Sequence, residues 1–204
     1  MSTTRRSKPP TPRIWTGWHD QPTLTVLKNM LGKVLVHAQR GRRVSGVIIE
    51  AEAYIGEDDP ACHAAAGPTR RNAPLYGPPG FAYVYLNYGL HYLVNAVTER
   101  DGFPGAVLIR ALAPLEGIDL MRRRRGPVPD ARICNGPGNL TQALGINLRH
   151  NLSDLATSAV RLEDHGFPVG PIDYSPRIGI RVGTDRLWRA TSTTPFTMRG
   201  HEER

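Results

Sequence analysis

Tyr83-Val84-Tyr85-Leu86-Asn87-Tyr88-Gly89-Leu90-His91-Tyr92-Leu93-Val94-Asn95 is the stretch on which the reading of this chain turns. Side chains alternate faces along a strand, so Tyr83, Tyr85 and Asn87 share one face and Val84, Leu86 and Tyr88 the other. Gly89 can take the positive φ of a tight turn, which folds residues 83–88 back on residues 90–97 as a hairpin. Ordinary packing is the commoner fate of strand tyrosines. Tyr88 fits that explanation poorly, because a ring at a hairpin tip stays in water unless a partner uses it.

Upstream, residues 33–37 and 44–54 read as a first strand pair joined at Arg40-Gly41-Arg42. Leu24, Leu27, Met30 and Leu31 recur at helical spacing ahead of Gly32, a C-terminal stop. Between Ile55 and Gly80 the chain is irregular, and loops of that length inside a domain are functional or disordered. Residues 106–112 predict a third strand. Pro114 then reads as the entry to a helix through Leu115, Ile118 and Met121 that ends in Arg122-Arg123-Arg124-Arg125. A shorter helix is expected over 140–144, and further strands over 160–162 and 178–182. The expected fold is α+β: a single compact domain with a central, mostly antiparallel curved β-sheet flanked by helices and long loops, over residues 14–200. Residues 1–13 read as a disordered basic arm, either a DNA tether or a solvated tail.

Composition narrows the partners. The 204 residues carry 26 Lys plus Arg against 18 Asp plus Glu, a net charge of +8, and most of the cations are arginine. Nucleic acid, ribosomal RNA or an anionic membrane surface all suit that surplus, and the guanidinium fork matches phosphate oxygens. No apolar run approaches the ~20 residues that cross a bilayer, so no membrane span is expected. With two cysteines, Cys62 and Cys134, there is no disulfide framework, and a cytoplasmic protein is expected, nucleoid-associated if bacterial.

On the strand over 44–54, Glu50, Glu52 and Tyr54 share a face, which sets the two carboxylates roughly 7 Å apart. Mutual repulsion would favour protonating one of them near neutral pH, useful for a general acid or base. A solvent-facing pair at a strand end explains the spacing equally well. The run Arg122-Arg123-Arg124-Arg125 reads as a solvated helix face that complements the helix dipole. Gly136-Pro137-Gly138 ahead of a helix could offer backbone N–H groups to a phosphate. Cys62-His63 lacks a second Cys or His pair at ligand spacing, so neither a zinc deaminase nor another metal site is expected. The Gly-x-x-x-x-Gly-Lys phosphate loop and the Gly-x-Ser-x-Gly turn are absent from the sequence.

Taken in order, these residues resemble the alkyladenine (3-methyladenine) DNA glycosylase family. The likeness runs from about Leu24 to Ile146, through Ile49-Glu50-Ala51-Glu52-Ala53-Tyr54, Asp59 to His63, Arg71-Asn72, Gly77-Pro78-Pro79-Gly80, the Tyr83 hairpin, Asn95, Leu108-Ile109-Arg110-Ala111-Leu112 and Pro114-Leu115-Glu116-Gly117. A fainter echo follows at Arg177-Ile178-Gly179-Ile180. The resemblance implies an enzyme that flips a damaged purine, alkylated or deaminated, out of duplex DNA and hydrolyses its N-glycosidic bond. It implies no cofactor, no metal and no lyase step, and a monomer acting on double-stranded DNA. By the same resemblance Glu52 activates the attacking water and Arg110 holds it near a phosphate. Tyr54, His63 and Tyr85 wall the base pocket with Leu108, and Asn95 excludes the exocyclic amine of normal guanine. Tyr88 enters the duplex as a wedge, with Leu90 beside it. Arg71, Arg125 and the backbone at Gly138 are the candidate phosphate contacts. Ala113, Asn87 and Ala64-Ala65-Ala66-Gly67 depart from the family's usual residues. A non-catalytic module that stacks bases on the same aromatics is the other reading; 3-methyladenine, 7-methylguanine, hypoxanthine and ethenoadenine all stay open as lesions.

Overall fold

The computed structural model describes residue 14 and residues 17–193; the arm expected over 1–13 lies outside them. Helix α1 (Thr23–Met30) leads into the hairpin of β1 (Val34–Gln39) and β2 (Arg42–Ile55). Its turn, Arg40-Gly41, is left-handed at both positions, φ 50° and 72°, a twist that matches the strands it joins. A long loop with two 3-10 turns precedes the second hairpin, β3 (Ala82–Asn87) and β4 (His91–Val97), and then β5 (Gly105–Glu116). Helices α2 (Ile118–Arg125) and α3 (Pro137–Leu144) follow, and β6 (Val160–Glu163), β7 (Ile172–Ser175) and β8 (Arg189–Ser192) complete the chain.

The strands make one curled sheet, ordered β3-β4-β5-β2-β1-β6, with every pairing antiparallel. Strand β8 pairs with Glu50 to Glu52 of β2, past the point where β1 ends, and carries β7 on its other edge. The α+β single domain expected from the sequence is the fold observed. Among the described residues no helix is long and apolar enough to cross a membrane.

One irregularity positions the site. The register of β2 against β5 runs Ile48 opposite Leu112, then Glu50 opposite Ala111, then Ala51 opposite Ile109, which leaves Ile49 and Arg110 unpaired. Paired bulges of this kind re-aim side chains. Before them Val44, Ile48 and Leu112 point into the main core; after them Ala51, Ala53, Val107 and Ile109 do. Core parity therefore switches from even to odd on β2 and from odd to even on β5. Without the switch Glu50 and Glu52 would point under the helices with Ile48. With it they join Arg110 on the opposite face, where Tyr83, Tyr85, Asn95 and Leu108 also lie.

Three expectations are corrected. Pro114 does not open a helix, because β5 continues to Glu116. Strand β4 pairs only the Ala106 to Leu108 end of β5, so the missing N–H of Pro114 falls outside that ladder. The helix waits for Gly117, at φ 71°, where a Cβ would lie 2.5 Å from the Arg43 carbonyl oxygen. Residues 178–182 are not a strand: they form a loop against the cavity, and the strands lie on either side of it as β7 and β8. The helix expected over 140–144 begins earlier, at Pro137.

Candidate active site

The face that receives Glu52 and Arg110 carries a cavity of about 420 Å³. Tyr54 of β2, Tyr83 and Tyr85 of β3, Leu93 and Asn95 of β4, and Ala106, Leu108 and Arg110 of β5 supply the sheet side. Ala61, Cys62, His63 and Leu75 come from the long loop after β2, and Ile178, Gly179, Ile180, Arg181 and Val182 from the loop between β7 and β8. Rings dominate it. His63 meets Tyr85 edge to face at 4.5 Å between centroids, and Tyr83 and Tyr85 lie 5.2 Å apart.

Glu52 lies behind the cavity wall, its side chain entirely buried and hydrogen-bonded to three residues that line the cavity, Tyr54, Arg110 and Ile178. Its Oε1 accepts the Ile178 backbone N–H at 2.7 Å. Its Oε2 accepts the Tyr54 hydroxyl at 2.9 Å and Arg110 Nη1 at 3.2 Å. Burial is the largest influence and raises its pKa above the ordinary glutamate value; Arg110, the Ile178 N–H and the Tyr54 hydroxyl pull the other way, and Glu50 adds a small upward push. The result is a desolvated, hydrogen-bonded carboxyl that is more basic than a surface glutamate, a fitting base for neutral pH. Repulsion between the two glutamates, the cause their spacing suggested, is the smallest of these. Arg110 stands between them and donates its Nε to Glu50 at 3.0 Å.

Arg110 is itself held. Glu50 Oε1 also accepts Arg189 Nη1 at 3.1 Å, so a strand from the far end of the chain steadies the pair. Arg177, fully buried, forks onto Asp59 at 2.5 and 2.7 Å and donates to the Ala53 carbonyl. Its guanidinium lies 4.7 Å from the Tyr54 ring centroid and 5.2 Å from that of Trp188. Buried charge of this kind persists only when paired and hydrogen-bonded. The pair anchors the loop at Arg177, one residue before the N–H that Glu52 accepts.

The residues expected at the pocket come together: Tyr54, His63, Tyr85, Asn95 and Leu108 all line the cavity with Arg110. Asn95 Nδ2 donates to the Tyr83 carbonyl at 3.0 Å, which fixes its amide. His63 is kept neutral chiefly by burial and also by Arg71, and its Nδ1 lies 2.9 Å from the Tyr83 hydroxyl. Tyr88 is 86% exposed and left-handed at φ 48°, beside Gly89 at φ 70°. A non-glycine residue there is uncommon, and such strain is found where surroundings or function require it. Leu90 shares the tip at 77% exposure.

The phosphate candidates fare unevenly. Arg71 lies near the hairpin, 5.6 Å from the Tyr85 ring and donating to the Leu86 carbonyl. Arg125 instead ties α2 to α3 through the Ile133 carbonyl and the Gln142 side chain. Gly138 starts α3 against the hairpin, where a Cβ would come within 2.8 Å of His91. Among the described residues no group of three or more His, Cys, Asp or Glu is arranged to hold a metal ion.

The methylpurine-DNA glycosylase family model matches residues 17–194. The chain belongs to that family. It is 45% identical over 179 residues to a Chlorobaculum tepidum protein, covering 87% of this chain and 86% of the relative. A Rubrobacter xylanophilus protein is 50% identical over 162 residues, covering 79% and 84%. A Methanocella arvoryzae protein is 46% identical over 179 residues, covering 84% and 88%. Each of the three is provisionally named a 3-methyladenine DNA glycosylase.

Within this glycosylase fold, three contributors escaped the sequence reading: Asp59 with Arg177, the Ile178 N–H, and Arg189. The echo at Arg177-Ile178-Gly179-Ile180 was a signal for the first two. No local pattern marks Arg189, which reaches Glu50 only because β8 docks on β2.

Proposed function

We propose that this protein excises alkylated purines, 3-methyladenine foremost, from duplex DNA by extruding the damaged nucleotide and hydrolysing its N-glycosidic bond. Deaminated purines such as hypoxanthine belong to the proposed range, and the protein acts as a monomer without a lyase step. One observation carries the reading: a fully buried Glu52, hydrogen-bonded by Tyr54, Arg110 and the Ile178 N–H, which themselves line a tyrosine-walled cavity.

A base within the helical stack is out of reach, so extrusion costs a few kcal/mol of stacking and pairing. Tyr88, projecting from a strained hairpin tip, suits the gap left behind, as intercalating wedges do. The extruded base stacks against Tyr54 and Tyr85, worth roughly 1–3 kcal/mol, with a further gain when the base is cationic, as alkylated purines are. Glu52 takes a proton from water as its oxygen bonds to the sugar C1′; the C1′–N bond breaks and the base departs with the electron pair. The carboxylate also opposes the positive charge that develops on the sugar. Asn95, fixed by the Tyr83 carbonyl, restricts which purine edges enter. The basic surplus binds phosphates without regard to sequence.

The pure protein, incubated with alkylated, inosine-containing, ethenoadenine and undamaged duplexes, is expected to yield free base and alkali-labile sites from the alkylated substrate first. Tight binding of all four with no base released would leave a stacking module as the better reading.

A further inference from the structure

At the opposite end of β2 from Glu52, a second pocket of about 310 Å³ lies between the β1–β2 turn and α2. Gln39, Arg40 and Arg42 from the turn, His37 from β1 and Arg124 from α2 line it, and none of its lining residues is acidic. Ten residues of strand separate Arg42 from Glu52, roughly 30 Å of extended chain, so this is not an extension of the base cavity.

The cations that line this pocket are not neutralised by ion pairs, unlike Arg43 and Arg122 beside them. Arg43 is taken by Glu116 and Glu163, Arg122 by Asp119 and Asp130, and Arg125 by Gln142 and the Ile133 carbonyl. Arg40, Arg42 and Arg124 have no carboxylate partner among the described residues. Arg124 is partly buried, and it is depressed first by that burial and then by Arg42 and Arg123. Its Nη1 donates to the Ala143 carbonyl. His37 adds an independent sign. It is only 5% exposed, its Nδ1 lies 2.8 Å from the Leu144 carbonyl, and its Nε2 is buried without a hydrogen-bond partner. The Leu144 carbonyl only accepts, so Nδ1 carries the proton and the orphan Nε2 is an acceptor in the neutral ring; a protonated phosphate oxygen can donate to it, and an ionised one accepts from it once the ring is protonated. Like charges gathered around such an atom are relieved by an anion, and the guanidinium fork suits phosphate oxygens.

We infer that this pocket binds a phosphate group, held by Arg40, Arg42 and Arg124 with His37 at its inner wall. Two sources carry that chemistry: the backbone of the DNA, or a free phosphate or nucleotide. The inference does not depend on base excision and stands or falls separately from it.

The imidazole 15N signals of His37 in the whole protein are the probe. Inorganic phosphate, titrated at constant ionic strength against chloride, is expected to shift them saturably. The double variant Arg40→Gln with Arg42→Gln replaces two exposed side chains and keeps the fold, which the remaining resonances verify. It should weaken phosphate binding about a hundredfold or more, since each lost hydrogen bond to a charged group is worth about tenfold or more; Arg124→Gln should weaken it about tenfold. A short undamaged duplex added to the phosphate-loaded protein then separates the sources. Displacement of phosphate from His37 by the duplex identifies the DNA backbone; coexistence identifies a mobile phosphate or nucleotide. A non-saturating shift, or the same affinity in the double variant, would overturn the site.

Discussion

Among the described residues two glutamates are fully buried, and they behave in opposite ways. Glu163, on β6, accepts both terminal nitrogens of Arg43, at 3.1 and 2.8 Å, and Arg161 Nε at 2.8 Å, and lies 2.8 Å from His165 Nε2. Burial pushes its pKa up, but Arg43, His165 and Arg161 overcome that and hold it at about 2. Glu52 is packed more deeply, shares one arginine with Glu50 and otherwise has two neutral donors. Its pKa is raised. Two side chains without solvent exposure therefore diverge: the depth of packing around each and the count and charge of its donors together push one carboxyl up and hold the other down.

Glu52→Gln should break the reactive side of this contrast. Base release is expected to fall by about 10²–10⁴-fold, the usual worth of a general base, while lesion-DNA binding in a gel-shift assay stays near that of the native protein. Retained turnover would remove Glu52 from the mechanism. The matching change on the structural side is Glu163→Gln. Removing one member of a buried pair costs about 3–5 kcal/mol, so urea unfolding should show that loss while activity per folded molecule is kept.

Acid sharpens the comparison further. Glu163 is depressed in the fold, so its contribution is present above pH 4.5 and is lost as pH falls toward about 2; that shift amounts to about 3 kcal/mol. Glu52 has the reverse sign: its ionised form costs stability, so its contribution is fully present below the ordinary glutamate pKa and is lost as pH rises through its raised value. Unfolding curves between pH 6 and pH 2 should therefore steepen in the native protein and flatten in Glu163→Gln. Base release should disappear on acidification at a pH above the ordinary glutamate value, because protonated Glu52 cannot accept a proton. A midpoint below that value would contradict the buried base.

The smallest stability effect belongs to Tyr88→Ser. An exposed side chain away from packing changes stability by no more than about 0.5 kcal/mol, yet capture of lesions in stable pairs should weaken more than capture of lesions in mismatches or bulges. Equal losses in all contexts would remove the wedge role and leave Tyr88 as an unexplained strained residue.

Much of the site was legible along the chain because it rests on local rules. Alternation put Glu50, Glu52 and Tyr54 together, and Tyr88-Gly89 marked a turn whose ring had nowhere to bury. The strand at Pro114 was missed because a proline's effect depends on which edge of the sheet it occupies. Residues 178–182 looked extended by composition, but Gly179 and Gly183, at φ 79° and 62°, break that path and let the loop reach the cavity. Arg125 was read as a phosphate contact at a helix end; in the fold the Ile133 carbonyl and the Gln142 side chain of α3 accept from it.

The amino-acid order by itself determined the two hairpins, the shared face of the glutamates and the exposed ring at the tip, since each follows from backbone geometry over a few residues. Only the tertiary structure decided which way that face points, because the switch depends on bulges in two strands meeting each other. It also decided that the Glu52 pKa is raised and the Glu163 pKa lowered. Desolvation and ion pairing act through space, and the groups that set them, such as the Ile178 N–H for Glu52 and Arg43 for Glu163, lie more than a hundred residues away in sequence.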